Sequence, residues 1–478
     1  MRLHEVMSGV AVAGPDVEIS SLAYDNRAVT PGTLFFCVPG FTRDGHEFAA
    51  DAVQRGAAAL VSQRRLDLGV PEVVVADVRA AMAPAAARFY GDPTARLQVV
   101  GVTGTNGKTT TAFLVRALLE ADGRQTGLLG TVTSIIGAVE HPVVRTTPEA
   151  IDLQRTFRDM LERGDEACAM EVSSHALELR RADAIHFAVA VFTNLTQDHL
   201  DFHPTMEDYF LAKRRLFTEA APAHAVINVD DSYGARLAGE LPDAVTFALE
   251  REAAYRAVDV QTGLHGSRFT VVAPDGEIDL SSPLRGRFNV YNLLGAFAAA
   301  RAVGVPSPRA AEAVAGAGLV PGRFQPVDEG QDFAVLVDYA HTPDSLQNVL
   351  EAARQLTAGR LHVVFGAGGD RDRGKRPLMG RIARNLADRV IVTSDNPRSE
   401  DPEAIIDQIL AGSGSEVEHL VDRREAIELA ISGAAAGDVV VIAGKGHEQG
   451  QEFEAGRKIP FDDATVAREA LRGATLAR

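Results

Sequence analysis

LQVVGVTGTNGKTTTAFLVRALLEA (97–121) is the stretch that decides the fold class. It begins as an apolar strand (97–102), passes through a glycine-rich turn and continues as a helix over 109–121. A turn of this kind between a strand and a helix N-terminus aims backbone N–H groups at a polyphosphate. Gly104, Thr105, Asn106 and Gly107 make the turn, and Thr110 follows inside the helix. Lys108 is spaced to reach the β- and γ-phosphates of ATP, and the Thr109 hydroxyl to hold Mg²⁺. One position departs from the Walker pattern: Val102 stands where the first glycine belongs, and Gly104 supplies the flexibility instead. A glycine turn with a merely solvated lysine is the plainer alternative.

Upstream, LFFCV (34–38) reads as a strand, 46–59 as an alanine-rich helix, VVVAD (73–77) as a strand and 78–90 as a helix. Gly91-Asp92-Pro93-Thr94 reads as a linker, because proline disfavours helix in the residue before it. Downstream, CAMEVS (168–173), FAVAVFT (187–193) and HAVINV (224–229) are apolar strands alternating with helices, the last of them NVYNLLGAFAAARAVG (289–304). Such alternation predicts a mostly parallel sheet covered on both faces. A second boundary falls at Val320-Pro321-Gly322-Arg323-Phe324, and strands recur at 334–340, 362–367, 389–394 and 439–444. The expected organisation is α/β in three domains: a small N-terminal unit (1–92), a central phosphate-loop domain (93–323) and a C-terminal Rossmann-like domain (324–478). Asp338, Gly366 to Asp370, Asp395 to Arg398 and Gly444 to Glu448 follow strands of the last domain, where open α/β sheets bind ligands.

Length and composition agree. A chain of 478 residues with 46% apolar and 24% charged residues is an ordinary globular balance spread over two to four cores. A formal charge of −17 argues against non-specific binding to nucleic acid or an anionic membrane. No signal peptide and no run of ~18 apolar residues is read. Cys37 and Cys168 are too few for a disulfide framework or a thiolate metal site. The expectation is a cytoplasmic monomer.

Glu171 ends one strand and His199 follows the next, so both are candidates for the Mg²⁺ region with Thr109. Magnesium prefers oxygen, so a structural histidine competes as the reading of His199. Lys213, on the amphipathic stretch DYFLAKRRLF (208–217), reads by composition as a solvated lysine. Asn289 and Asn292, at i and i+3, share a helix face and can read an adenine edge, with helix capping the rival for Asn289. Arg323 and Asp338, at the second boundary, suit contacts to ATP on domain closure, or an interdomain ion pair.

In order along the chain, GTNGKTT (104–110), TTPE (146–149), MEVSSHAL (170–177), TNLTQDHLDFH (193–203), YFLAKRRLF (209–217), GRFNVYN (286–292), PGRFQ (321–325) and DYAHTPDSL (338–346) resemble the Mur ligase family of peptidoglycan precursor synthesis. The resemblance implies that ATP phosphorylates the carboxylate of a UDP-N-acetylmuramoyl peptide and that the amine of the next amino acid displaces the phosphate. It makes Lys108, Glu171, His199 and Lys213 catalytic, with Thr109, Glu171, His199 and a carbamoylated Lys213 at magnesium. Arg323, Asp338 and His341 become nucleotide contacts. Asn26, Thr42, Thr146, Thr147, Ser173 and Arg181 become contacts of the nucleotide sugar, although Asn26 replaces a usual serine and Leu179 a residue that is polar in some members.

Within the family, GAGGDRDRGKRP (366–377) and DNPR (395–398) look like the member that adds meso-diaminopimelate to UDP-N-acetylmuramoyl-L-alanyl-D-glutamate. Arg371 and Arg398 would then face carboxylates of the amino acid, since a guanidinium fork matches a carboxylate. Asp395, Asn396, Pro397, Gly444 and Glu448 would complete that site. Neutralising Asp395 or Asp401 is the competing role for Arg398. Lysine-adding members, folylpolyglutamate-type ligases and a phosphate-loop switch protein are the alternatives.

Overall fold

The computed structural model describes residues 1–40, 43–263, 265–414 and 416–476, with side chains up to 473. Thr42, expected at the nucleotide sugar, lies outside the described residues. The chain divides into two compact units, Met1–Thr103 with Gly123–Ala190 and Ala212–Ala225, and Gly104–Asp122 with Val191–Leu211 and Val226–Arg478.

In the first unit, β1 (Ser21–Ala23), β2 (Thr33–Phe36), β3 (Ala57–Ser62) and β4 (Glu72–Val74) form a parallel sheet in that order. The helix Val78–Phe89 is capped by Asp77, whose carboxylate accepts the N–H groups of Arg79 and Ala80. Leu34, Phe36, Val61, Val73 and Met82 pack into one core. The helix expected over 46–59 is a 3-10 turn, Gly45–Phe48, followed by only Ala49–Gln54. Gly56, at φ 105°, turns the chain, and the alanines after it enter β3. Burial between two strands outweighs alanine's helical preference there.

The same unit holds β5 (Gln98–Thr103), β6 (Thr126–Leu129), β7 (Ser134–Ile136), β8 (Val139–His141), β9 (Ala167–Glu171) and the start of β10 (Phe187–Phe192), in the order β10-β5-β9-β6-β7-β8. β9 runs parallel to β5 and β6, whereas β6, β7 and β8 form an antiparallel meander.

In the second unit, β11 (His224–Asn228), β12 (Val245–Ala248), β13 (Tyr255–Gly263), β14 (Gly266–Ala273) and β15 (Gly276–Ser282) follow one another. β11 to β13 are parallel, and β13 to β15 antiparallel. The mostly parallel expectation passed over these hairpins. Their burial alternates along β14, with one side partly solvated, so they lack the continuous apolar run of a doubly covered strand.

The C-terminal sheet comprises β16 (Gln325–Val327), β17 (Ala334–Asp338), β18 (Leu361–Phe365), β19 (Arg389–Thr393), β20 (Glu418–Leu420) and β21 (Val439–Ala443), ordered β16-β17-β21-β18-β19-β20. All pairings except β16–β17 are parallel. Asp338 and Phe365 both pair with Ala443, which brings the carboxyl ends of the central strands to one edge. Separate apolar clusters cover the two faces. A hairpin of β22 (Gly450–Glu452) and β23 (Lys458–Pro460) follows. Among the described residues no helix is long and apolar enough to cross a membrane.

Candidate active site

The phosphate-type loop is held on several sides within the second unit. The helix begins at Lys108 with Gly107 as its N-cap at φ 85°, a left-handed conformation that glycine adopts without strain. A Cβ on Gly107 would run into the Asn292 amide, and one on Gly104 into the Thr193 hydroxyl. Asn106 donates its backbone N–H to Asn194 Oδ1 at 2.9 Å, and its amide to Asp344 at 2.7 Å. Lys108 Nζ donates to the carbonyls of Gly104 and Thr105, 3.0 and 2.7 Å away. Thr109 is buried, and its hydroxyl accepts from Arg323 at 2.9 Å. Thr110 is buried in the same turn.

Asn289 and Asn292 do share a face of the helix Arg287–Ala302, and both are buried. Asn292 donates to Asn289 Oδ1 at 3.0 Å, while Asn289 donates to the carbonyl of Arg285. The N-cap is Gly286, so capping does not explain Asn289.

Asp338 ends β17 and accepts the N–H groups of Phe324 at 2.6 Å and Ala340 at 2.7 Å. Burial pushes its carboxyl up to about 6, opposed by the Arg323 guanidinium and these two N–H groups. His199, at φ 55°, lies 3.5 Å from the buried Asp198, which also faces His341 at 3.8 Å. Burial works against ionisation of Asp198, yet His199, His341 and Lys375 hold its carboxyl well below the usual range. Burial, with Lys375 nearby, pushes His341 down.

In the first unit, Glu171 at the end of β9 is 1% exposed and accepts the backbone N–H of Thr131 at 2.7 Å and its hydroxyl at 3.1 Å. The Thr147 hydroxyl donates to the carbonyl of Glu171 and stands 3.5 Å from Ser173 Oγ. Thr146 meets the Thr131 hydroxyl at 3.1 Å. Arg181 Nε forms an ion pair with Glu149 at 2.9 Å, and Glu149 also receives Arg79 and Arg145. Asn26 donates to Asp51. Lys213, on the helix Met206–Thr218, is 1% exposed. Solvation of this lysine, expected from composition, is therefore overturned: helix periodicity carries Lys213 to the apolar side with Tyr209, Phe210 and Leu216.

The third group sits at the carboxyl edge of the C-terminal sheet. Arg398, at φ 53°, donates from Nε to Glu452 at 3.1 Å and from Nη1 to the carbonyl of Gly369 at 2.7 Å. Its carboxylate partner is thus Glu452, rather than Asp395 or Asp401. Arg371 is exposed, and a Cβ on Gly368 would touch both Arg371 and Arg398. Asn396 donates to Glu448 at 2.8 Å, and Gly444, at φ 120°, leaves room for the Asp395 carboxylate. Pro397 and Arg398 line an open cleft of about 450 Å³ with Ser399, Phe453, Glu454 and Arg457.

Sequence reasoning missed two buried groups here. Lys445 is 0% exposed and bonds to Asn396 and Glu448. Arg423 and Asp463 form a fully buried pair, from which Arg423 also reaches the carbonyls of Ser394 and Ala443. The signal for Lys445 was its place between two glycines directly after a buried strand. Nothing near Arg423 in the sequence announces its partner 40 residues on.

Family models match three successive stretches: the Mur ligase family, catalytic domain, over residues 18–90, the Mur ligase middle domain over 102–300, and the Mur ligase, glutamate ligase domain, over 322–446. A UDP-N-acetylmuramoyl-L-alanyl-D-glutamate–2,6-diaminopimelate ligase of Geobacillus thermodenitrificans is 49% identical over 474 residues, 96% of each chain. The enzyme of that name from Streptomyces coelicolor is 48% identical over 488 residues, 98% of this chain and 96% of its own. A solved structure of a ligase with the same name superposes at a TM-score of 0.71 with 35% identity, covering 99% of both chains. The Mycobacterium tuberculosis folylpolyglutamate synthase, at TM-score 0.62 and 20% identity over 75% of this chain and 91% of its own, shares the fold alone. With such relatives along almost its whole length, the chain belongs to the Mur ligase family.

Proposed function

We propose that the chain is an ATP-dependent ligase that joins meso-diaminopimelate to UDP-N-acetylmuramoyl-L-alanyl-D-glutamate in peptidoglycan precursor synthesis. The observation that carries this reading is the near full-length identity to ligases named for that reaction. The γ-phosphoryl group passes to the D-glutamyl carboxylate, giving an acyl phosphate and ADP. The amine then attacks the acyl carbon, phosphate leaves and the nitrogen sheds a proton.

Lys108 would turn from its own loop carbonyls to the phosphates, where a fixed cation stabilises charge that develops during transfer. Gly104 to Thr110 supply the phosphate cradle, with Asn289, Asn292, Arg323, Asp338 and His341 as further nucleotide contacts. Thr109 and Glu171 are hard oxygen donors of the kind Mg²⁺ takes, and His199 is a softer fit. Among the described residues no three His, Cys, Asp or Glu side chains form a metal cluster. Mg²⁺ tolerates this, since it usually takes one or two carboxylates and completes its shell with phosphate oxygens and water. The bound metal would neutralise charge on the phosphates and the acyl phosphate.

Lys213 fits the role of a carbamate. Loss of a proton from the ammonium, then attack of the free amine on CO₂ with loss of a second proton, replaces a buried cation by an anion suited to a metal. Asn26, Thr42, Thr146, Thr147, Ser173 and Arg181 would hold the nucleotide sugar. Arg371 and Arg398 would take carboxylates of the diamino acid, with Asp395, Asn396, Pro397, Gly444 and Glu448 around its other end. Its substrates belong to the cytoplasm, where the chain would act as a monomer.

The Lys213→Ala substitution tests the chemistry. ADP formation that needs both the UDP-dipeptide and diaminopimelate should fall by roughly 10²-fold or more and recover in part with acetate or formate. Undiminished ADP formation would remove Lys213 from the reaction.

A further inference from the structure

Lys445 has no place in the roles above, yet it is one of the most enclosed charges in the chain. It follows β21 between Gly444 (φ 120°) and Gly446 (φ 55°), both in conformations that favour glycine. Its Nζ donates to Asn396 Oδ1 and to Glu448 Oε2, each at 2.9 Å, and lies 3.9 Å from Asp395 Oδ1. Asn396 Oδ1 also accepts the backbone N–H of Glu452 at 2.9 Å, and Asn396 Nδ2 donates to Glu448 Oε2.

These contacts leave one orientation for the Asn396 amide. An ammonium and a backbone N–H can only donate, and an ionised carboxylate can only accept, so Oδ1 faces the first two and Nδ2 the third. Glu448 Oε2 is thereby taken twice from the buried side. The Glu448 side chain is 30% exposed, so its other oxygen is the one turned toward a ligand.

We infer that Lys445 is a positioning residue that, directly and through Asn396, fixes the Glu448 carboxylate as the acceptor for the ammonium-bearing distal end of the incoming amino acid. This rests on the ligase reading above. The physical basis is charge balance. Lys445 Nζ lies 2.9 Å from Glu448 and 3.9 Å from Asp395, and without that enclosed cation the two carboxylates would repel each other and Glu448 would swing away. With Lys445 in place, Glu448 stays oriented, and a second ammonium can settle on its other oxygen. A lysine serves here because a compact ammonium can reach three oxygens at the end of a slim stem.

The test is steady-state ADP formation by the full chain, with Lys445→Met, Lys445→Gln, Glu448→Gln and the Lys445→Met/Glu448→Gln double variant. Losing one member of a buried, hydrogen-bonded charge pair should raise KM for meso-diaminopimelate by roughly 30-fold or more. KM for ATP and for the UDP-dipeptide should stay near that of the unsubstituted chain. In the Glu448→Gln background, Lys445→Met should add little, because both changes remove the same interaction. An unchanged KM for diaminopimelate in folded variants, or equal rises in all three KM values, would overturn the proposal. So would additive effects in the double variant, or failure of both Lys445 variants to fold, which marks a purely structural lysine. If the unsubstituted chain shows no diaminopimelate-dependent turnover, the ligase reading fails instead, and the two failures are thus distinguishable.

Discussion

Asp338 shows how a single side chain ties stability to pH. Burial pushes its carboxyl up to about 6, above the ordinary 3.8 of an aspartate. Between pH 4 and 6 the folded chain keeps a proton there that the unfolded chain has released, so stability falls as pH rises through that window. Urea unfolding of the native chain and the Asp338→Asn variant should show the native advantage shrinking from pH 4 to 6 and level above it. A constant difference would place the carboxyl at its ordinary value. At this scale the sequence was partly legible. Lys108, Thr109 and Glu171 were singled out by position, at a helix start or a strand end, whereas the role expected of Arg398 came from the family resemblance. Lys213 needed the family resemblance, since a lysine on an amphipathic helix gives no sign that it points inward. Lys445 and Arg423 escaped, because buried charges are recognised by their partners, and those partners lie in other loops.

The phosphate-type loop is the element on which the nucleotide reading depends, and its Gly107, set against Gly123 beyond the far end of the same helix, separates two kinds of strain. Gly107 and Gly123 have nearly the same φ, 85° and 88°, but a Cβ at Gly107 would collide with Asn292 and one at Gly123 would meet nothing within 4 Å. The Gly123→Ala variant should lose about 1–2 kcal/mol, the cost of a left-handed alanine, and keep its ATP-dependent turnover. The Gly107→Ala variant should lose more stability and most of that turnover, with thermal unfolding and ADP release as the two readouts. Equal loss of turnover in both would mean that the loop shape does not matter. The four long C-terminal strands were legible because parallel strands covered on both faces are continuous apolar runs. The antiparallel strands β13 to β15 were not, because partial exposure breaks their runs with polar residues. Ala57 to Ala59 misled for the opposite reason, a helix-favouring composition placed in a buried strand.

Across the whole molecule, linkers were read at 91–94 and 320–324, family models match 18–90, 102–300 and 322–446, and the folded chain divides into two compact units. Which amine is added was harder to read, because it hangs on a few side chains at one sheet edge. Meso-diaminopimelate carries a second carboxylate that lysine lacks, and Arg398, steadied by Glu452 and Gly369, is the group proposed to read it. Lysine would forgo the charge-assisted pair between that carboxylate and the guanidinium, which disfavours it by a margin of about 2 kcal/mol. The most direct measurement is phosphate release by the unsubstituted chain with ATP and UDP-N-acetylmuramoyl-L-alanyl-D-glutamate, against meso-diaminopimelate, L-lysine and D-glutamate in turn. The account predicts release at low amine concentration only with meso-diaminopimelate, and none when the UDP-dipeptide is omitted. Equal release with L-lysine, or release that ignores the UDP-dipeptide, would contradict it.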